Sequence, residues 1–298
     1  MTRPAAPLHY DRVQKLNASA PAESDTGLLL RSPLPRSYVD FFGHRLLNFL
    51  RALHGMTAFA LITLGVLISK FRVARAVIWP RILTHLHRSG FRLLPMIAFL
   101  AVALGLVVIG QTVALTTRVG ANAYLGTVMV TVVVRELGPL LTAVLVLSRS
   151  GMANVIELGT ARALGEVEAL EVLGIDPVHY LVVPRVLGMA LGTFALAVYL
   201  ILIAFCGGYV WAFIQDVPLL PGDYFRQLAE ALNGMDFVLL TLKTSLFGFI
   251  IAVVTCYHGL AQPLRLEEVS RAAVRAMAQS VIACVLLDAV FILVYLLS

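Results

Sequence analysis

Five long apolar stretches decide what this chain can fold into. Each contains about the 20 residues that a helix needs to cross the hydrocarbon core of a bilayer. They are Leu93–Thr117, Tyr124–Leu147, Val186–Ile214, Phe237–Tyr257 and Ala276–Leu297. The whole chain is 59% hydrophobic and 13% charged, whereas soluble domains average about 45–50% apolar and about 25% charged residues. The sequence therefore predicts an all-α integral membrane protein with five transmembrane helices.

The residues before the first span divide into two segments. Residues 1–40 are polar, with no apolar run after the early basic residues, so we expect a flexible segment without a signal peptide. Residues 41–92 contain the short apolar run Gly55–Ser69 between basic residues, which is typical of an amphipathic helix in the membrane interface. Spanning by this run is the alternative, although it would export seven Lys and Arg residues. Residues 93–298 form the predicted five-span domain.

Lys and Arg residues are concentrated on one side of the predicted spans. Thirteen lie in residues 1–92, whereas the loops on the opposite side contain only Arg118 and Arg226. By the positive-inside rule the N-terminus is cytoplasmic, and five spans place the C-terminus on the far side. Anionic lipid next to this basic face accounts for the net charge of +6, so we expect no nucleic-acid partner.

Four ionisable residues fall within the predicted spans: Arg135, Glu136, Lys243 and Asp288. A single charge near the bilayer centre costs about 2.5–3.5 kcal/mol, so we expect the two cations and two anions to compensate one another. Arg135 and Glu136 are neighbours that point in different directions on a helix, so they do not face each other. We expect Arg135 or Lys243 to pair with Asp288, and Glu136 to face a cavity or a subunit interface. Holding the bundle together is the alternative role of these charges.

Pro139 follows the Arg135-Glu136 pair closely. Its ring nitrogen has no N–H, so the helix loses one backbone hydrogen bond in the preceding turn. We therefore expect a freed carbonyl group near Arg135, at an ordinary helix kink or at a gating hinge.

The connection between the second and third spans is too charged to enter hydrocarbon. Val167, Leu170 and either Leu173 or Val172 recur with helical spacing on one predicted face. Gly174 is placed to end the helix as its C′ residue. We predict one short, acidic amphipathic helix at about 155–174, which either docks on a partner or remains solvated. The residues proposed for docking are Glu157, Arg162, Glu166, Glu168, Leu170 and Glu171.

Several function classes are disfavoured by what the sequence contains. It has no GxxxxGK[ST] loop to hold ATP phosphates, so ATP energy would have to come from a partner. Its three cysteines lie in apolar stretches without metal-ligand spacing. The spans hold one Asp and no His pair, which disfavours an intramembrane enzyme, and they show no inverted repeat, which disfavours a secondary transporter. We expect no catalytic residue, metal or cofactor in this chain.

Three blocks of the sequence resemble the MlaE/YrbE permease family, and their order matches. They read RELGPLLTAVLVLSRSG, ELGTARALGEVEALEVLGIDP and SRAAVRAMAQSVIACVLLD, and the resemblance extends over roughly residues 45–298. It implies a non-catalytic, multi-pass subunit of an ABC transporter in a bacterial inner membrane. Such a subunit is a homodimer that works with a cytoplasmic ATPase, which binds ATP and Mg, and with a periplasmic MCE-domain lipid-binding protein.

The resemblance also implies a substrate and a site. The substrate would be a membrane lipid, in the first place a phospholipid, and a sterol or an organic solvent moved by an ABC or secondary transporter is the alternative. In similar permeases the lipid pocket lies between two copies, near the residues that correspond to Arg135 and Glu136. Whether Glu136 contacts lipid or only the dimer mate stays open. Candidate wall residues of the cavity are Leu106, Ile109, Gln111 and Tyr124. A short helix at about 221–232 would face the MCE partner.

Overall fold

A computed structural model describes residues 54–67, 80, 83–87, 90–120, 124–214, 221–260 and 265–297 of the chain. The chain divides into two units, Met1–Arg51 and Ala52–Ser298, and every described residue belongs to the second unit. The predictions for residues 1–40, and for residues 41–92 except those named above, lie outside the described residues.

The described part of the chain is helical throughout its regular structure and contains no strand. Five of its helices are long and apolar enough to cross a membrane, which confirms the five predicted spans. The helices are α1 (His54–Leu67), α2 (Leu83–Thr116), α3 (Leu125–Ala163), α4 (Glu166–Val172), α5 (Val178–Ile214), α6 (Pro221–Ala231), α7 (Gly234–Leu260) and α8 (Leu266–Leu297). The spanning candidates are α2, α3, α5, α7 and α8.

The prediction of a single helix at about 155–174 is wrong, because the first half of this segment is the end of α3. Gly165 has a φ of +77°, a left-handed conformation that interrupts the helix and separates α3 from α4. The predicted end at Gly174 is confirmed. Gly174 has a φ of +73°, and the N–H of Ile175 donates to the carbonyl oxygen of Leu170 over 2.9 Å, as in a Schellman motif.

Helix α1 coincides with most of the apolar run that precedes the first span. Its 14 residues extend about 21 Å at 1.5 Å per residue, which is shorter than the ~30 Å hydrocarbon core. The ring of Phe59 packs edge-on against Tyr257 near the end of α7, with 5.9 Å between the ring centroids. Location of α1 in the membrane interface stays a prediction.

Glycines let the spanning helices approach α5 closely. A Cβ on Gly248 of α7 would lie 2.5 Å from the carbonyl oxygen of Met189 in α5 and 2.7 Å from the Cα of Ala190. A Cβ on Gly138 of α3 would lie 2.8 Å from a side-chain carbon of Ile201, also in α5. Small residues are typical of such contacts, because apolar helices in lipid associate largely through close packing.

In the described part of the chain, three wide π-helical turns interrupt spanning helices and a fourth forms the start of α5. They are Gly105–Ile109, Val130–Leu137, Leu147–Gly151 and Val178–Val182. Such turns are rare and occur frequently at functional sites. Two of them lie in α3, so this helix changes its winding twice along its length.

Candidate functional site: a buried ion network

Lys243 of α7 is the centre of a polar network inside the helix bundle. Its side chain is fully buried, and its Nζ lies 2.7 Å from Oδ1 of Asp288 and 3.3 Å from Oε2 of Glu136. Its third contact is a 2.7 Å hydrogen bond to the backbone carbonyl oxygen of Arg135. An ammonium group has three donors, and three oxygens surround this one. The contact with Asp288 was one of the two pairings expected from the sequence.

Pro139 explains why a backbone oxygen takes part in the network. In an α-helix the N–H of residue 139 would reach back four residues to the carbonyl of Arg135, but proline has no N–H. The π-helical turn at Val130–Leu137 ends just before Pro139 and widens the backbone there. Lys243 donates to the oxygen that this proline leaves available, which agrees with the carbonyl expected near Arg135.

Arg135 points away from Lys243 and pairs with Asp236 at the start of α7. Its Nε lies 2.8 Å from Oδ1 of Asp236, and its Nη2 donates to Oδ2 over 3.3 Å. The same Oδ2 accepts the backbone N–H of Asn233 over 3.1 Å. The ring of Tyr295 lies 5.0 Å from Cζ of Arg135, within cation–π range. Arg135 and Glu136 therefore have different partners, as their adjacent positions required.

Asp236 was missed by the sequence prediction, which began the fourth span at Phe237. The side chain is only 4% exposed and belongs to the first turn of α7. A signal was present, because Asp236 precedes Lys243 by seven residues, or about two helical turns. The two side chains therefore project from the same face of α7, where both can contact α3.

Glu136 is the most accessible carboxylate of the network. Its side chain is 30% exposed, compared with 14% for Asp288 and 4% for Asp236. With two cations and three carboxylates, the network has an excess of one negative charge when every group is ionised. The single chain thus presents one half-buried carboxylate that a further polar group can reach.

Only some of the expected cavity-wall residues border open space. Ile109 is completely buried. Its side chain occupies the space that a Cβ on Gly208 of α5 would need. Ile109 therefore does not line an open cavity of the single chain. Gln111 and Tyr124 are exposed, and Leu106 is half-buried. Close packing of α2 against α5 is the physical reason for the difference.

An apolar groove of about 490 Å³ lies on α7. Its lining residues are Phe237, Val238, Thr241, Leu242 and Ser245. At 100° per residue these side chains project from the face of α7 opposite to Lys243. The groove is therefore separate from the ion network.

The predicted docking region forms two ion pairs within the chain. Glu157 near the end of α3 pairs with Arg185 of α5 over 3.0 Å. Arg162 of α3 pairs with Glu168 of α4 over 3.2 Å, so this pair bridges the break at Gly165. Together they attach the end of α3 to its two neighbours.

The prediction that the apolar residues of α4 share one face is wrong. Val167 is 1% exposed and packs into the core, whereas Val172 and Leu173 are 88% and 73% exposed. Leu170 is half-buried, and the remaining docking candidates Glu166 and Glu171 are exposed. The end of α4 thus combines free apolar side chains with carboxylates. Among the described residues, no group of three or more His, Cys, Asp or Glu side chains could hold a metal ion.

Comparison with known proteins agrees with the resemblance of the three sequence blocks. The sequence model of the family described as Permease MlaE matches residues 82–294. A probable ABC transporter permease protein of Rickettsia prowazekii is 31% identical over 191 residues, which cover 64% of this chain and 73% of that protein. The intermembrane phospholipid transport system permease protein MlaE of Haemophilus influenzae is 24% identical over 257 residues, which cover 85% of this chain and 95% of that protein.

A plant protein is also similar. The chloroplastic protein TRIGALACTOSYLDIACYLGLYCEROL 1 of Arabidopsis thaliana is 29% identical over 213 residues, which cover 70% of this chain and 60% of that protein. The family match extends over well more than half of the chain and includes the ion network. The chain therefore belongs to the MlaE permease family, the membrane-spanning transport subunits of ABC transporters.

Proposed function

We propose that this permease moves phospholipids between a bacterial inner membrane and a periplasmic MCE-domain partner. It would act as a homodimer, and a separate cytoplasmic ATPase would bind ATP and Mg and supply the energy. The chain itself would carry out no covalent chemistry. The carboxylate of Glu136, which is 30% exposed at the edge of the ion network, is the observation that carries this proposal.

The network has the properties that a lipid-handling site needs. A phospholipid has an apolar body and a polar headgroup, so its path must combine apolar helix surface with a few fixed polar groups. Lys243 is fully buried and paired with Asp288, which is 14% exposed, and the Nζ of Lys243 holds Glu136 at a fixed position. Glu136 would then contact a headgroup or the same region of the dimer mate, at the apolar surface of the bundle.

The end of α4 is suited to receive the ATPase. Val172 and Leu173 are exposed apolar residues next to the acidic Glu171, and Glu166 is exposed at the start of the same helix. A short helix with such a surface can insert into a groove of a partner. The ion pairs Glu157–Arg185 and Arg162–Glu168 would pass a push on α4 to the spanning helices.

The membrane orientation follows from the distribution of basic residues. The basic N-terminal region and the α3–α5 connection would be cytoplasmic, and the C-terminus would be periplasmic. Helix α6 would then lie on the periplasmic side, where it could meet the MCE partner. The names of the Haemophilus and Arabidopsis relatives refer to phospholipid and to a galactolipid, which supports lipid as the substrate class.

Transfer of fluorescent phospholipid tests the proposal directly. The permease would be reconstituted with its ATPase and MCE partner in vesicles, and ATP-dependent transfer would be compared for the native chain and for Glu136→Gln. Glutamine has the same size but no charge. We expect transfer to fall at least tenfold while the yield and melting temperature of the permease stay close to native.

Glu267→Gln is the matched control, because it makes the same chemical change at an exposed residue in the first turn of α8. Unchanged transfer by Glu136→Gln together with a lower folded yield would contradict the proposal and leave the network a purely structural role. Mass spectrometry of co-purifying lipids completes the test. Recovery of a sterol instead of phospholipid would contradict the substrate class.

A further inference from the structure

A partly polar cavity lies between α2 and α3, away from the ion network. It has a volume of about 680 Å³, which is within the range of small-molecule sites. We call it the α2–α3 cavity. Six of its lining residues matter here: Arg92, Pro95, Met96, Arg149, Ser150 and Glu157.

Two cations of this cavity are available for a ligand. Arg92 and Arg149 are exposed, and neither guanidinium forms an ion pair with any residue that the structure describes. Among the described lining residues Glu157 is the one carboxylate, and it is already paired with Arg185. The free charge in the cavity is therefore positive, and the hydroxyl of Ser150 adds a donor.

The cavity also lies at the boundary between water and hydrocarbon. Arg92 directly precedes the apolar stretch that begins at Leu93, and Arg149 follows the stretch that ends at Leu147. Pro95 and Met96 are one turn further into the apolar stretch and add exposed apolar surface to the lining. The cavity thus has a cationic half at headgroup level and an apolar half toward the acyl chains.

The local backbone fixes Arg149 in this position. Arg149 and Ser150 belong to the π-helical turn Leu147–Gly151. Gly151 allows the turn to pack tightly, because a Cβ there would lie 2.9 Å from Leu147 and 3.3 Å from Ile251 and Thr255. The wide turn is thus held against α7, and the guanidinium of Arg149 is presented to the cavity.

We propose that the α2–α3 cavity binds the phosphate group of an anionic phospholipid. Guanidinium groups bind phosphate oxygens with strong, charge-assisted hydrogen bonds, and basic pockets between spanning helices on the cytoplasmic side bind lipid headgroups. With the orientation proposed above, the lipid comes from the cytoplasmic leaflet. The site is independent of the transport role of Glu136, because a lipid held here can be retained while another is moved.

Native mass spectrometry of the delipidated full chain tests the site. Phosphatidylglycerol is titrated into the native protein and into the double variant Arg92→Gln/Arg149→Gln. Each cation near an anionic headgroup contributes about a factor of five to affinity, so we expect binding to weaken about tenfold to thirtyfold. The double variant Arg271→Gln/Arg275→Gln removes the same charge from exposed residues of α8, and it should bind within about twofold of native.

Two further arms separate lipid from free phosphate. Phosphatidylcholine, which has no net charge, should bind the native protein more weakly than phosphatidylglycerol, and 10 mM inorganic phosphate should not displace phosphatidylglycerol. If the two double variants lost phosphatidylglycerol affinity equally, or if neither lost any, the proposed site in the α2–α3 cavity would be overturned. Tight binding of inorganic phosphate without binding of phosphatidylglycerol would overturn the lipid assignment.

If the double variant does not fold, the single variants Arg92→Gln and Arg149→Gln are titrated in its place. Transport by Glu136→Gln is measured separately, so either proposal can fail alone.

Discussion

The Nζ of Lys243 lies 2.7 Å from the backbone carbonyl oxygen of Arg135, the oxygen that Pro139 leaves without its α-helical donor. A sequence feature of α3 therefore creates an acceptor that a side chain of α7 uses. The same Nζ contacts Glu136 and Asp288, so one lysine connects three of the five spanning helices.

Removing the charge of Lys243 should destabilise the bundle strongly. Lys243→Met leaves Asp288 and Glu136 without their cation, and breaking a buried ion pair from one side typically costs about 3–5 kcal/mol. The free energy of unfolding, measured by SDS titration in mixed micelles, should fall by this amount. Adding Asp288→Leu to the variant should recover part of the loss, because it removes the unpaired carboxylate. A Lys243→Met protein as stable as native would contradict the described pairing.

The pair Arg135–Asp236 should show energetic coupling. A double-mutant cycle with Arg135→Gln and Asp236→Asn compares the stability loss of the double variant with the sum of the losses of the two single variants. We expect a coupling of about 1–2 kcal/mol, toward the middle of the usual range, because the Arg135 side chain is 26% exposed to solvent or lipid. Strictly additive losses in SDS titration would mean that the ion pair does not form in the membrane.

Gly248 should not tolerate a methyl group. Gly248→Ala places a Cβ against backbone atoms of Met189 and Ala190, which cannot move aside without shifting α5. Overpacking of this kind costs about 1–3 kcal/mol. Gly65→Ala is the matched control, since Gly65 is also inside a helix but has no atom within 4 Å of the new Cβ. Thermal unfolding in detergent should show a lower melting temperature for Gly248→Ala and no decrease for Gly65→Ala.

The exposed apolar end of α4 should matter for the ATPase and not for folding. Val172→Ser/Leu173→Ser removes apolar surface that is 88% and 73% exposed in the single chain. We expect normal melting but at least a fivefold loss of ATPase co-purification and of permease-dependent ATP hydrolysis. The control Val119→Ser changes a residue just after α2 that is 73% exposed, and it should have no effect. Equal ATPase recovery from both variants would exclude α4 as the contact.

The spans and part of the site could be predicted because they depend on local physical rules. Twenty apolar residues identify a spanning helix, and adjacent positions on a helix diverge, which separated the partners of Arg135 and Glu136. The cost of a lone charge in hydrocarbon required that Lys243 and Asp288 be compensated. Gly174 ended a helix as expected, because its backbone conformation suits glycine.

The remaining features depend on contacts between distant segments. Asp236 counts as part of the site only because α7 begins before its apolar stretch and packs against α3. The burial of Ile109 depends on Gly208, which is 99 residues away in sequence on α5. Spacing alone did not reveal that Val167 would be buried while Val172 and Leu173 would be exposed, because this depends on how Gly165 turns α4.

The length of α3 has a mechanical consequence. Its 39 residues form a rod of about 58 Å, with Arg135 and Glu136 along the way and Arg162 at its far end. Its two wide turns, Val130–Leu137 and Leu147–Gly151, can take up a change in winding without breaking the rod. A torque applied at Arg162 would therefore be absorbed in part by Leu147–Gly151, which lies between Arg162 and Glu136, so the far end of α3 would turn while Glu136 keeps its contact with Lys243.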